Sequence, residues 1–332
     1  CRYAGSGFVM GVRRDVLASD DDREAYLRGC MLLANTPSGS TALDVHRILQ
    51  PQVPGWAMRG DGSVELSMWD LFTLWHYVAM GLPTAGVNTN RAHGGPVFLP
   101  WHRLFLIRLE AQLQGVLDDP DFGLPYWDWA KDGQLNSPLW ADSRLGTSRG
   151  TVDAGRLAGF RVRLTGQGSF SQGGFLLAHQ PRAITRDAGA DPDHRTLPRK
   201  SDVAACMDEG VYDTANWDTA SVGFRNHLEG WRRWPVELHN RVHVWIGGDM
   251  SPGTSPNDPV FFLHHCNVDR IWEAWMDRRP GRPYEPTGTP GADSPGHNLN
   301  DNMVALLGAT MTPADVLDPS PWYSFDNLSV ET

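Results

Sequence analysis

The sequence predicts a mainly α-helical protein with a central four-helix bundle around a metal site, joined by long loops and a few short strands. Three observations predict it. Apolar residues recur at helical spacing in four segments, and each of the four contains histidine. The chain also holds 12 His against only 4 Cys, so neutral imidazole is the abundant side chain suited to Zn, Cu, Fe or Ni. Bundles of this kind hold metal centres on inward-facing side chains of several helices.

The first segment runs from Leu66 to Gly81, where Trp69, Phe72, His76 and Ala79 share a stripe. Ser67 and Asp70 provide a start, Gly81 and Pro83 a stop. The second runs from Pro100 to about Leu117, with His102, Leu106, Leu109, Leu113 and Leu117 on one face; proline is tolerated at a helix N-terminus. The third, Pro235 to Trp245, places His239 and His243 four apart on a single face before Gly247-Gly248 ends it. The fourth, Asp258 to about Arg278, aligns Phe261, His265, Val268, Trp272 and Trp275, with Asn257-Asp258 as cap and Pro280-Gly281 as stop. Between the second and third segments, Gly, Ser, Asp and Arg clusters read as long loops and short strands, with an alternating strand signal in Phe160 to Leu164.

Length, 332 residues, permits one or two domains. No repeat and no compositional break divides the chain, so one domain over residues 1–332 is expected. A net charge of −10 argues against a polyanion-binding surface, which needs clustered Lys and Arg. No apolar run has the length of a membrane span. The chain begins at Cys1, which suggests removal of a leader and favours a secreted or cell-envelope location, with a lipid-modified Cys1 as a variant and the cytoplasm left open. Cys1, Cys30, Cys206 and Cys266 show no C-x-x-C spacing. Cys266 is expected as a buried thiol, and at most one disulfide among the other three.

A lone histidine on an apolar stripe is ordinarily a hydrogen-bonded core residue, and the H-x3-H pair His239 and His243 alone would suggest zinc. Several such histidines in one bundle change that balance, because burying them without a metal leaves many ring nitrogens in need of partners. No H-E-x-x-H, carboxylate-rich or thiolate pattern competes. A zinc-stabilised bundle remains the plain alternative.

The stretch from His93 through Phe98, Trp101, His102 and Arg103 to Glu110, and the stretch Asp258-Pro259-Val-Phe261-Phe-Leu-His264-His265-Cys-Asn267-Val-Asp269-Arg270, resemble the two copper signatures of tyrosinases and related type 3 copper proteins. Leu124-Pro-Tyr-Trp-Asp-Trp129, Phe224-Arg-Asn-His-Leu-Glu-Gly-Trp231 and the run from His239 to Gly248 are similar to compact bacterial tyrosinases. Similarity spans Leu66 to Asp326; residues 1–65 form an extension without a recognised counterpart. The resemblance implies two copper ions, dioxygen as co-substrate, and a phenolic small-molecule substrate. His76, His93 and His102 would bind one copper, His239, His243 and His265 the other. Periodicity cannot choose within the pair His264-His265; the family pattern selects His265. The implied activity is oxidation of ortho-diphenols to ortho-quinones, extending to hydroxylation of monophenols. An ortho-aminophenol oxidase and a haemocyanin-like oxygen carrier are the alternatives.

In the family, a glutamate and the asparagine after the first histidine of the second site hold a water that deprotonates monophenol. Asn240 fills the second role and Glu229 the first. The spacing from Glu229 to His239 is slightly long, so Glu237 is an alternative. Arg103, Glu110, Asp258 and Asp269 are expected in ion pairs near the ligands. His46, His179, His194, His227 and His297 are expected as surface or locally hydrogen-bonded residues, and Trp101, Trp245, Trp272 and Trp275 as core. No cysteine is placed to form the thioether of fungal and plant relatives. Tyr323-Ser-Phe325 resembles the motif that closes the catalytic domain, no shielding domain is expected after it, and a copper-delivering caddie protein is an expected partner.

Overall fold

Ser19 starts the first helix, its side chain accepting from the Asp22 N–H while Asp20, Asp21 and Asp22 suit the positive end of the helix dipole. In the computed structural model, which describes residues 11–53, 57–59, 61–81, 84, 86, 88–167, 174–281, 283–289 and 291–331, strand β1 (Gly11–Arg13) precedes this helix, α1 (Asp20–Asn35). Strand β2 (Pro37–Thr41) and helix α2 (Ala42–Leu49) follow, then β3 (Ala57–Arg59) and β4 (Glu65–Ser67). None of these four elements or α1 is expected from histidine-centred periodicity, yet α1 has a buried stripe of its own in Tyr26, Leu27, Cys30 and Leu33. It packs on the bundle, and the Tyr26 hydroxyl donates to Pro259 O (2.5 Å).

Helix α3 (Met68–Ala79) starts at Ser67 as predicted, through a capping box in which the Asp70 N–H meets the Ser67 hydroxyl and the Ser67 N–H meets the Asp70 carboxylate. Every residue from Trp69 to Ala79 is buried. Helix α4 (Phe98–Leu117) begins two residues before the expected Pro100, which still falls in the first turn where no N–H is needed. Short pieces β5 (Arg149–Thr151), β6 (Val162–Gln167), β7 (Gly174–Arg182) and β8 (Thr185–Asp187) occupy the long connection, with helices α5 (Lys200–Met207) and α6 (Phe224–Glu229) after them.

Helix α7 (Leu238–Ile246) starts three residues later than predicted because Pro235 and its neighbours form an exposed turn and Glu237 is the N-cap. Helix α8 (Val260–Arg278) starts after Asp258, whose carboxylate accepts from the Val260 N–H (3.0 Å). Strand β9 (Tyr323–Phe325) pairs in parallel with β1. The remaining sheets are β2 with β4 antiparallel, β3-β7-β6, and β5 with β8 antiparallel. No helix among the described residues is long and apolar enough to cross a membrane.

Aromatic packing holds α3, α4 and α8 together: Phe105 of α4 meets Phe72 of α3 edge-on (5.4 Å) and stacks on Phe262 of α8 (5.6 Å). Trp101, Trp245, Trp272 and Trp275 are all core, as expected. Cys30, Cys206 and Cys266 are buried free thiols; Cys1 lies outside the described residues.

Candidate metal centre

Two histidine clusters face each other across the bundle. The first joins His76 of α3, His102 of α4 and His93 of the loop before α4, with ligand atoms within 4.8 Å of one another. His76 Nδ1 donates to Gly253 O (2.8 Å) and His102 Nδ1 to Phe98 O (2.7 Å). A neutral imidazole carries one N–H, so a proton used at Nδ1 leaves the Nε2 lone pair free, and both Nε2 atoms are buried without a protein partner. His93 is placed by backbone: the Asn90 side-chain oxygen accepts from the His93 N–H (2.8 Å), and the Asn90 N–H donates to His93 O (3.0 Å). Gly94 follows at φ +74°, where a Cβ would stand 2.2 Å from Asn88 O.

The second cluster comes from α7 and α8. Nε2 atoms of His239, His243 and His265 form a triangle with sides of 3.1, 3.2 and 3.3 Å. His243 Nδ1 donates to Met250 O (2.7 Å), and His239 Nδ1 to Asn240 Oδ1 (3.0 Å). With the protons of both committed elsewhere, the three nitrogens hold at most one hydrogen between them, on His265 Nε2, too few to satisfy all three. A shared cation about 2.0–2.1 Å from each satisfies them all. His102 stacks on His265 at 4.2 Å, so the clusters adjoin.

Burial, reinforced by neighbouring imidazoles, keeps these rings neutral. His76 is pushed down to about 3 and His243, by burial, to about 4. His93, His102, His239 and His265 lie well below the ordinary histidine range. Neutral imidazole is the ligand form, and the donor set fits two soft-to-borderline ions with three nitrogens each.

His264 lies in the second cluster, fully buried and stacked on His239 at 5.0 Å. Neither of its ring nitrogens is among the three that form the close triangle, whose sides join His239, His243 and His265 alone.

Glu229 is fully buried at the end of α6. Its Oε1 accepts from the Gly94 N–H (2.7 Å), its Oε2 from Arg225 (3.1 Å), and its carbonyl lies 3.3 Å from His239 Nδ1. Glu229 stays buried although Arg232 to Pro235, between it and His239, are exposed to solvent. Burial raises the Glu229 carboxyl above its ordinary range, with Arg225 pulling against the rise. Glu237 turns instead to Arg233 (2.6 Å). Asn240 Nδ2 is buried without a protein partner.

Arg103, Glu110 and Asp269 form the expected ion pairs, but among helices and strands rather than with imidazoles. Arg13 of β1 reaches Glu110 (2.7 Å) and Asp269 (2.9 Å), Arg103 reaches Asp269 (2.6 Å), and the Tyr323 hydroxyl of β9 donates to Asp269. Asp258 pairs with Arg186 through both oxygens (2.6 and 2.8 Å).

Three of the histidines expected at the surface or in local hydrogen bonds are buried, and His194 makes such a local bond. His194 bonds Asp191 (2.7 Å), His227 bonds Glu209 (3.0 Å), and His297 is wholly enclosed. Loop sequence suggested exposure, yet these loops fold over the core. His46 is half-buried on α2, and the side chain of His179 lies outside the described residues. Sequence reasoning also misses Asn90 and Arg225. Asn90, three residues before His93, carries an Asx-turn signal; Arg225, four before Glu229 on a short helix, carries an i,i+4 pairing signal.

Residues 66–278 match the common central domain of tyrosinase. The tyrosinase of Streptomyces glaucescens is 42% identical over 248 residues, covering 74% of this chain and 84% of that protein. The tyrosinase of Streptomyces antibioticus is 43% identical over 235 residues, covering 70% and 80%. Among solved structures, a variant polyphenol oxidase from Thermothelomyces thermophila shares the fold, with a TM-score of 0.69 over 95% of this chain and 88% of that one at 24% identity.

Proposed function

The chain belongs to the tyrosinase family, and we propose that His76, His93 and His102 hold one of its two copper ions and His239, His243 and His265 the other. It is a type 3 copper oxidoreductase that uses dioxygen to oxidise ortho-diphenols to ortho-quinones. The observation that carries the ligand assignment is the Nε2 triangle of 3.1 to 3.3 Å among His239, His243 and His265. Residues 1–332 act as one catalytic domain, a view supported by the pairing of β1 with β9.

When bound, the copper pair supplies dioxygen binding and the redox chemistry. The carbonyls of Gly253, Phe98 and Met250 fix His76, His102 and His243 with Nε2 forward. Glu229 and Asn240 hold a water that takes the hydroxyl proton of a monophenol: Asn240 Nδ2 is a free donor, and the Glu229 carboxylate, buried with its affinity for a proton raised by burial, is the acceptor. That pair extends the activity to monophenol hydroxylation. Resemblance to bacterial members further suggests a copper-delivering partner and a secreted or cell-envelope location.

Metal analysis of the purified protein should give two coppers per chain, with catechol consumed under air. His265→Ala should lose one copper and the activity, while His264→Ala keeps both coppers. Zinc in place of copper, or loss of copper from His264→Ala alone, would overturn the assignment.

A further inference from the structure

We propose that His297 is a positioning residue for the first copper site: its imidazole, wedged against Gly95 and hydrogen-bonded at both nitrogens to the loop that carries His93, fixes where that ligand stands. The inference rests on His93 being a copper ligand. Of the three histidines in the first cluster, His93 is the one without an anchoring bond, since its Nδ1 is buried and has no partner while those of His76 and His102 donate to carbonyls. Its orientation therefore depends on the backbone of its loop.

That loop is gripped by His297, two hundred residues along the chain. Nδ1 of His297 meets the Val97 N–H (3.4 Å) and Nε2 meets the Thr84 hydroxyl (3.3 Å). A backbone N–H can only donate, so Nδ1 carries the lone pair and Nε2 the N–H, which is shared between Thr84 Oγ1 and the Asn90 carbonyl. The Thr84 hydroxyl donates to Thr89 Oγ1 (2.6 Å), and the Thr89 hydroxyl to Gly86 O (3.0 Å). The direction of every bond is set by the first. Burial, holding His297 down to about 3, keeps the ring in the required neutral form.

Steric fit agrees. A Cβ on Gly95 would stand 2.7 Å from both Cε1 and Nδ1 of His297, so the ring lies against bare backbone two residues after His93. The ring is itself held from behind: the Tyr284 hydroxyl donates to His297 O (2.5 Å), and Asp301 accepts from the Gly296 and Asn298 N–H groups (2.7 and 3.1 Å). The other end of the loop is tied to α3, with the Arg91 N–H donating to Ala79 O (3.1 Å). An unanchored ligand is thus carried on a loop that His297 ties together through Thr84 near α3 and Val97 at the start of α4.

Outer groups that orient metal ligands typically change metal affinity by about 10- to 100-fold when removed. The test is copper release from loaded protein into a chelator, followed for each of the two ions. His297→Ala should release one copper about 10- to 100-fold faster than the parent and the other at the parental rate. His297→Asn, whose Oδ1 can still accept from Val97, should fall between. Gly29→Leu, on α1 against Leu113 and away from the His93 loop, is the control for a structural effect, expected to lower thermal stability with both coppers leaving at the parental rate. Parental release from both His297 variants, or equal acceleration of both coppers, would overturn the proposal. A His93→Ala protein that still bound two coppers would instead overturn the ligand assignment on which it rests.

Discussion

Asn240 uses the two ends of one amide for two tasks. Its oxygen fixes the tautomer of His239 (3.0 Å), and its nitrogen remains buried and free to donate. Glu229 lies behind the same ring and also reaches the His93 loop through Gly94, so removing its charge separates a proton-transfer role from a scaffold role. Glu229→Gln keeps the shape and the acceptor for Gly94. We expect monophenol turnover to fall about 10²- to 10⁴-fold, the usual worth of a positioned base, with ortho-diphenol turnover falling less than about tenfold. Steady-state rates on tyrosine and catechol decide it; an equal fall on both would mean that Glu229 only holds the loop. At this scale much was legible. His76, His102, His239 and His243 stand on helical stripes readable from spacing alone. His93 does not, because a loop ligand has no periodicity, and only its motif marks it. His264 and His265 are both buried in one cluster, and what separates them is nitrogen geometry, which no apolar pattern encodes. The enclosure of His297 is not legible for a related reason: a turn-rich sequence says nothing about whether the turn is itself covered.

Helices with strong caps and apolar stripes were legible to within a few residues, as at Ser67 for α3. The start of α7 was not, since Pro235 can open a helix but here belongs to the outward turn before Glu237. Helix α1 was passed over although Ser19 and three acidic residues announce it; its buried stripe lacks histidine and mixes in charged residues. Its role is to cover α4, and Gly29 marks the close approach. A Cβ there would stand 2.6 Å from Leu113 Cδ2. Helix propensity alone favours replacing glycine by about 1 kcal/mol, but a large side chain must push Leu113 aside. Overpacking costs about 1–3 kcal/mol, so Gly29→Leu should lower the urea midpoint while copper content stays at two per chain. An unchanged or raised midpoint would show that α1 can shift away from α4 without loss.

Across the whole molecule, the design sets many neutral imidazoles in a dry interior, fastened by the Arg13 ion pairs and the Tyr323 hydrogen bond, which join both ends of the described chain to α4 and α8. The consequence is acid sensitivity in the copper-free protein. Unfolding returns each histidine to its ordinary value of about 6.5, whereas the folded chain holds His76 and His297 near about 3 and His243 near about 4. Below about pH 6.5 the unfolded chain therefore binds more protons than the folded one, and stability falls as pH falls; above it this contribution is constant. Each such group adds about 1.4 kcal/mol per pH unit within its window. Asp213, raised by burial to about 6, and Glu229 act in the opposite direction, because they take up protons in the folded state first. They are outnumbered, since His93, His102, His239, His264 and His265 are depressed as well. Urea midpoints of the copper-free protein should thus drop steeply between pH 7 and pH 5, on the order of several kcal/mol against a total stability of about 5–15 kcal/mol. Under the proposed ligand assignment copper competes with those protons for the Nε2 lone pairs, so the loaded protein should show a shallower decline over the same range. A copper-free midpoint that stayed level, or rose, from pH 7 to pH 5 would mean that the clustered histidines are solvated rather than packed neutral in the core.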